Sequence, residues 1–253
     1  MKILLKIKYL GTNYCGYQVQ PNAVSIQQKL NEATAAVFGY DCDIVGCSRT
    51  DSGVHANEFC ATVAKKGTET LETSVAVSRI PLALCAHLPE DIAVFDARWV
   101  EEDFHARYDV KEKEYLYRIY NSPVRDPFEE GRSCRLPKRI DDEGLRNMQR
   151  AAQKLCGTHD FSAYMAQGSR VVSTVRTVTH ASVEREGDLI LFRVAADGFL
   201  YNMVRILAGT LVEVGEGKIS PDEIDEITAS RDRARAGSTM PACGLYLNRV
   251  RYH

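Results

Sequence analysis

Two ferredoxin-like (βαββαβ) halves in an α+β fold, each a mostly antiparallel sheet with helices on one face and with a cleft between them, are predicted on three observations. The order strand, helix, strand, strand, helix, strand can be read twice along the chain. The second pass restarts after the acidic run Glu101-Glu102-Asp103. The 253 residues suffice for one large core or two small ones. The boundary is expected near residue 105, giving halves 1–105 and 106–253, although no repeat is visible residue by residue.

In the first half Lys2 to Tyr9 alternates, with Ile3, Leu5, Ile7 and Tyr9 on one face and Lys2, Lys6 and Lys8 on the other, as a half-buried strand does. Gly11 to Pro21 is rich in turn residues. Ser25 then starts a helix to about Phe38, with Ile26, Leu30, Ala33 and Val37 along one stripe and Gly39 after its end. Strands at 42–48 and 57–64, a helix at about 69–80 and a strand at 92–100 complete the half. The second half begins with a long strand at 109–120 and continues with a helix from Asp141 to Leu155. Strands at 174–184 and 189–196 follow, joined by the turn Glu186-Gly187-Asp188. A helix from Phe199 to Val214, a short helix after Pro221 and a strand from Gly244 to Arg251 close it. The loops at 121–137 and 157–172 are longer than ordinary connections, and such loops tend to be functional.

Composition narrows the class. Hydrophobic residues at 45% and charged residues at 26% are ordinary for a globular protein that folds in water. A formal net charge of −2 places no general basic field on the molecule, so recognition of a polyanion has to come from local clusters. Candidates are Arg132, Arg135, Lys138 and Arg139, and separately Arg231, Arg233 and Arg235; a solvated face is the competing reading of each. The run Ile3-Leu4-Leu5 is broken by Lys6 and Lys8, and no stretch approaches the ~20 apolar residues of a membrane helix, so a cytoplasmic protein without membrane association is expected. Eight scattered cysteines without a Cys-x-x-Cys pair suit reduced, buried thiols. Cys42, Cys47, His55 and Cys60 lie close enough in sequence to raise zinc, but lack the tight paired spacings of structural sites.

Chemistry concentrates in Gly46-Cys47-Ser48-Arg49-Thr50-Asp51-Ser52-Gly53-Val54-His55-Ala56, between two strand patterns. Arg49 and Asp51 are two residues apart, so on extended backbone both project from the same side. A guanidinium beside a carboxylate favours the ionised form and keeps it a base or nucleophile. An ordinary turn with a surface ion pair fits the same spacing. Farther along, Tyr115 and Tyr117 share a face of the strand Lys111 to Tyr120. Arg205 has Tyr201, Ala208 and Val212 as helical neighbours, a cation on a largely nonpolar surface that calls for a fixed carboxylate partner or for snorkelling to the helix edge.

The octapeptide Arg49-Thr50-Asp51-Ser52-Gly53-Val54-His55-Ala56 resembles the signature of the TruA family of tRNA pseudouridine synthases. So do Lys113-Glu114-Tyr115-Leu116-Tyr117, Phe104-His105-Ala106-Arg107, the run from Gly198 through Met203-Val204-Arg205 to Leu211, Gly157-Thr158-His159-Asp160-Phe161, Thr174-Val175-Arg176-Thr177 and Pro241-Ala242-Cys243-Gly244-Leu245. The chain departs from the family pattern at Leu84-Cys85-Ala86-His87-Leu88, ahead of Pro89-Glu90-Asp91-Ile92. The resemblance implies Asp51, Arg49 and Arg205 as the catalytic set, with Asp51 the nucleophile, Arg205 its ion-pair partner and Arg49 aiding, and Tyr115 as the substrate-binding ring that stacks on the base. The first half would then carry the Asp, and the second the Tyr and the partner Arg. It further implies tRNA as partner, the 3′ side of the anticodon arm as target, a homodimer, and a reaction needing neither cofactor nor metal. Two other classes fit parts of the chain: a non-catalytic RNA-binding protein, although the aromatic motif of RNA-recognition domains is missing, and a metal-dependent hydrolase using Asp51, His55 and His159.

Overall fold

Alternation sets the first element: β1 (Lys2–Tyr9) turns Ile3, Leu5, Ile7 and Tyr9 to one face, none more than 3% exposed. The computed structural model describes residues 1–168 and 171–252, so positions 169 and 170 of the predicted loop at 157–172 lie outside the described residues. The protein is mixed α/β, with five α-helices and a large, mostly antiparallel sheet among the described residues. The chain divides into two compact units, 1–111 with 247–253, and 112–246.

In the first unit α1 (Ile26–Phe38) starts where the Ser25 hydroxyl accepts from the Gln28 amide at 3.2 Å and stops at Gly39, whose φ of 78° breaks the helix. Its buried stripe of Ile26, Leu30 and Ala33 is the one the sequence pattern predicts. β2 (Cys42–Gly46) pairs antiparallel with β3 (His55–Lys65), β3 with β1, and β1 with β4 (Ile92–Val100). The helix expected at 69–80 is absent. A single 3-10 turn at Val77–Arg79 leads instead into α2 (Ile80–Cys85). Pro81 explains the shift, because in a first turn its missing N–H forfeits no hydrogen bond and its fixed φ suits the helix, so it starts this helix rather than ending one.

In the second unit β5 (Glu112–Tyr120) pairs antiparallel with β9 (Leu189–Ala196), β9 with β8 (Val175–Glu186), and β8 with β7 (Gly157–Asp160), while β6 (Cys134–Arg135) runs parallel beside β5. The short, polar β6 and β7 carry no alternation to read. α3 (Asp142–Lys154) is capped by the Asp141 carboxylate, which accepts from the Gly144 amide at 2.8 Å. α4 (Met203–Gly215) starts four residues later than expected because Asn202 takes φ 58°, a left-handed conformation outside the helix. Ten of its thirteen residues are buried, which makes α4 the spine of this unit's core. α5 (Glu223–Ser230) follows Pro221 as expected, and the chain closes with β10 (Leu245–Arg251), which belongs to the first unit from Leu247 onward.

Candidate active site

Asp51 is half-buried at the head of a tight turn, where its carbonyl accepts from the Val54 amide at 3.2 Å and Gly53 takes φ 78° at the third position. A side chain at position 53 would strain that turn. The flanking residues are fastened inward. Thr50 is buried with its Oγ1 2.8 Å from the Tyr9 hydroxyl. His55 is buried as well, and its Nδ1 accepts from the Gly11 amide at 2.9 Å. Arg49, one residue before Thr50, is exposed.

The segment 11–17, which the sequence marks only as turn-rich, is the brace of this turn. The Tyr17 amide donates to the Thr50 carbonyl at 3.1 Å, the Gly53 amide to the Tyr14 carbonyl at 3.4 Å, and the Ser52 hydroxyl to the same Tyr14 carbonyl at 3.2 Å. The two backbones lie so close that a Cβ on Gly16 would stand 2.5 Å from the Thr50 carbonyl oxygen. One on Gly11 would stand 2.0 Å from the Val54 oxygen. The brace is anchored in turn by Asp91, which accepts from the Tyr14 hydroxyl at 2.5 Å. Burial, then the hydrogen bond to Asp91 and its charge, push the Tyr14 phenol well above its ordinary range, so it stays a donor. Asp91 thus gives a positional meaning to the Pro89-Glu90-Asp91-Ile92 segment. The only sequence signal for the brace is the pair of glycines, Gly11 and Gly16, in a loop ahead of a capped helix.

Tyr115 and Arg205 lie in the second unit. Tyr115, on β5 opposite Val194, is 7% exposed, and its ring meets the Phe199 ring edge-on at 5.0 Å and 85°. Two of the singled-out segments are thereby brought together, since Phe199 belongs to the run that contains Arg205. Tyr117, on the same strand face, is fully buried and donates to the Pro241 carbonyl at 2.6 Å, so it belongs to the core. The Arg205 guanidinium is held from two sides: Nε donates to the Met240 carbonyl at 2.7 Å and Nη1 to the Asn202 side-chain oxygen at 2.9 Å. The left-handed Asn202 therefore spends its side chain on orienting the arginine three residues ahead, in place of capping α4.

His159 Nε2–H donates to the Cys156 carbonyl at 3.0 Å, all eight cysteines are free thiols, and among the described residues no group of three or more His, Cys, Asp or Glu could hold a metal ion. Of the basic clusters, Arg231 pairs with Asp160 at 3.1 Å and Arg235 with Glu226 at 3.4 Å, while Arg233 donates to the Ala236 carbonyl at 3.2 Å. Arg139 pairs with Asp188 at 2.7 Å. Each of these four arginines has a partner close by in the fold. Asp160, beyond its ion pair, accepts from the Thr174 hydroxyl at 2.6 Å, and that bond chiefly holds its carboxyl below the usual range.

A family model described as tRNA pseudouridine synthase matches residues 151–253. The tRNA pseudouridine synthase A of Acetivibrio thermocellus is 45% identical over 250 residues, covering 99% of this chain and 99% of the relative. That of Thermoanaerobacter sp. is 43% identical over 250 residues, again 99% of each chain. A solved Cbf5-Nop10-Gar1 complex aligns with 96% of this chain and 57% of its own at 13% identity and a TM-score of 0.37, too distant to carry an argument.

Proposed function

The chain belongs to the tRNA pseudouridine synthase A family, and we propose that it isomerises uridine to pseudouridine in the anticodon stem-loop of tRNA, with Asp51 as nucleophile. The N1–C1′ glycosidic bond breaks, the uracil turns, C5 bonds to C1′, the C5 proton leaves and N1 gains one. Atoms balance without water, oxidant or metal. Asp51 attacks either the uracil ring or the sugar C1′. Arg205 is the cation that keeps the carboxylate ionised, with Arg49 aiding. Tyr115 stacks on the base, and its phenol assists loss of the C5 proton. A uridine paired in a stem is out of reach, so the base is extruded at a cost of a few kcal/mol, offset by contacts in the pocket.

The single observation that carries this reading is the Asp51–Val54 turn, which follows Arg49 and Thr50 and carries a half-buried acidic residue on backbone fixed by the 11–17 segment, in a chain with near-complete coverage by its relatives. Edge-on support of Tyr115 by Phe199 and the two-point hold on Arg205 add that the remaining groups are oriented before substrate arrives. Each half, 1–105 and 106–253, is read as ferredoxin-like with the active-site cleft between them. The strand order β4-β1-β3-β2 of the first unit supports that reading for the first half; the second unit's order is β5-β9-β8-β7. The active form is a homodimer in the cytoplasm; among the described residues no helix is long and apolar enough to cross a membrane.

Asp51→Ala tests the assignment. The variant is expected to fold and bind tRNA yet release no tritium from tRNA carrying 5-tritiated uridine. Substantial release would remove Asp51 from the role of nucleophile.

A further inference from the structure

Beside the Asp51 turn the first unit has a groove of about 270 Å³ whose walls include Gln18, Ser48, Arg49, His105, Arg107 and Tyr108. Its outer wall is a small, stiff construction. The amides of Arg107 and Tyr108 both donate to His105 Nδ1, at 3.1 and 3.2 Å, and the Asp109 carboxylate accepts from the His105 amide at 2.7 Å. The His105 and Tyr108 rings lie 4.2 Å apart at 32°, with the Arg107 guanidinium 5.9 Å from the Tyr108 ring. Tyr108 is nevertheless 75% exposed.

A tyrosine so placed offers a fixed aromatic face to water, and the turn that fixes it has already given up its freedom. The cations are just as telling: Arg49 and Arg107 are both exposed, and among the described residues neither guanidinium has an ion-pair or hydrogen-bond partner. A flat ring with two uncompensated guanidiniums suits a ligand that is planar at one end and anionic at the other. A nucleotide has that form, and an aromatic platform with flanking arginines is how single-stranded nucleic acid is held. Arg49 lines the groove and is two residues from Asp51, which makes the groove and the Asp51 turn neighbours along the chain.

We propose that the groove is a subsite for an unstacked RNA nucleotide neighbouring the target uridine, its base lying on Tyr108 and its phosphate held by Arg49 and Arg107. The subsite rests on the tRNA-modifying reading above and adds to it a positioning role for Tyr108, His105 and Arg107. Gln18 and Ser48 add hydrogen-bonding groups to the lining, so the subsite can favour one base over another.

The test compares wild type with Tyr108→Ala, Tyr108→Phe and Arg107→Ala, using tRNA transcripts and two readouts: tritium release, and direct binding in an Asp51→Ala background. Tyr108→Ala is expected to weaken binding roughly tenfold, while Tyr108→Phe binds like wild type. The loss should appear in KM with kcat nearly unchanged. Arg107→Ala should lower the slope of log affinity against log salt by about one. Tyr108 is the residue expected to cross-link to 5-iodouridine placed next to the target position. Because the side chain is mostly exposed, thermal midpoints should stay at the wild-type value, separating lost contact from lost fold. Wild-type binding and KM in Tyr108→Ala would overturn the subsite and leave the isomerase reading standing. Absence of tritium release from wild type, with a tenfold binding loss in Tyr108→Ala, would overturn the isomerase reading and keep the groove as an RNA site. If wild type binds no tRNA, both fall.

Discussion

Replacing Gly16 by alanine should disable the enzyme out of proportion to its loss of stability, and Gly39→Ala supplies the control. Both glycines sit in the left-handed region, at φ 83° and 78°, where an L-residue costs about 1–2 kcal/mol. A Cβ on Gly39 meets nothing within 4 Å, so Gly39→Ala should lose about that much and keep its turnover. A Cβ on Gly16 lands 2.5 Å from the Thr50 carbonyl oxygen, about 1 Å short of ordinary contact, and the obstacle is backbone that cannot rotate aside. Relief requires the 11–17 segment and the Thr50-Asp51 backbone to separate. The hydrogen bonds between Tyr17 and Thr50 and between Gly53 and Tyr14 are then stretched or broken, each worth about 1 kcal/mol net. The total for Gly16→Ala comes to about 2–4 kcal/mol, read as a shift in the urea midpoint at unchanged slope. Displacing a reacting carboxylate by about 1 Å can cost on the order of a hundredfold in rate. Single-turnover tritium release, measured at a temperature where both variants are folded, should fall by that order for Gly16→Ala and stay within about twofold of wild type for Gly39→Ala. Equal rates in the two variants would refute the claim that the 11–17 segment positions Asp51.

Other consequences can be measured directly. Tyr115→Phe keeps the ring and its edge-on contact with Phe199 and removes the hydroxyl, so substrate affinity should hold while single-turnover tritium release slows; an unchanged rate would confine Tyr115 to packing. Alkylation of the native protein near pH 8, read by mass spectrometry, should label exposed Cys15 and spare buried Cys47 and Cys60. The Cys60 thiol is pushed up to about 12 by burial first and by the neighbouring Cys47 and Glu58 next, so almost none of it is thiolate there. Asp160, held below its usual range chiefly by Thr174, contributes stability that is fully present above its unfolded value of about 4. That contribution is lost as pH falls through the lower, folded value. Asp160→Asn should therefore flatten the acid side of the stability profile, and an unchanged acid limb would show that the native carboxylate gains nothing from its partners.

What could be read from the chain divides along the range of the interactions involved. α1 was legible because its cap, stripe and stop are all local: Ser25, the Ile26, Leu30 and Ala33 faces, and Gly39. α2 was misplaced because Pro81 reads equally as a terminator or as a first-turn residue, and the choice depends on where the preceding chain packs. The same division runs through the site. Asp51 stood out because its turn condenses charge, hydroxyls and glycine into a few residues. Arg205 stood out because a cation on an apolar helix face needs an explanation. The groups that orient them did not. Asn202 looks like one more helical residue until its positive φ and its bond to Arg205 Nη1 are seen. Gly11, Gly16, Tyr14 and Asp91 act on the Asp51 turn across separations of 34 to 77 residues in the chain or through one another, and no spacing rule reaches that far.

That division has a physical reason. A reacting carboxylate must be polar and near solvent, so its chemistry shows in residue type. The rigidity that aims it comes from close backbone approach and buried hydrogen bonds, which many sequences can supply and which show only in coordinates. Gly16 makes the point in one residue: its sole contribution is the Cβ it lacks, and only the Thr50 oxygen 2.5 Å from where that atom would stand says why. The same reasoning applies to Tyr108: an exposed tyrosine carries no signal by itself in sequence, and only the coordinates show the His105 turn holding its ring in a groove lined by Arg49 and Arg107.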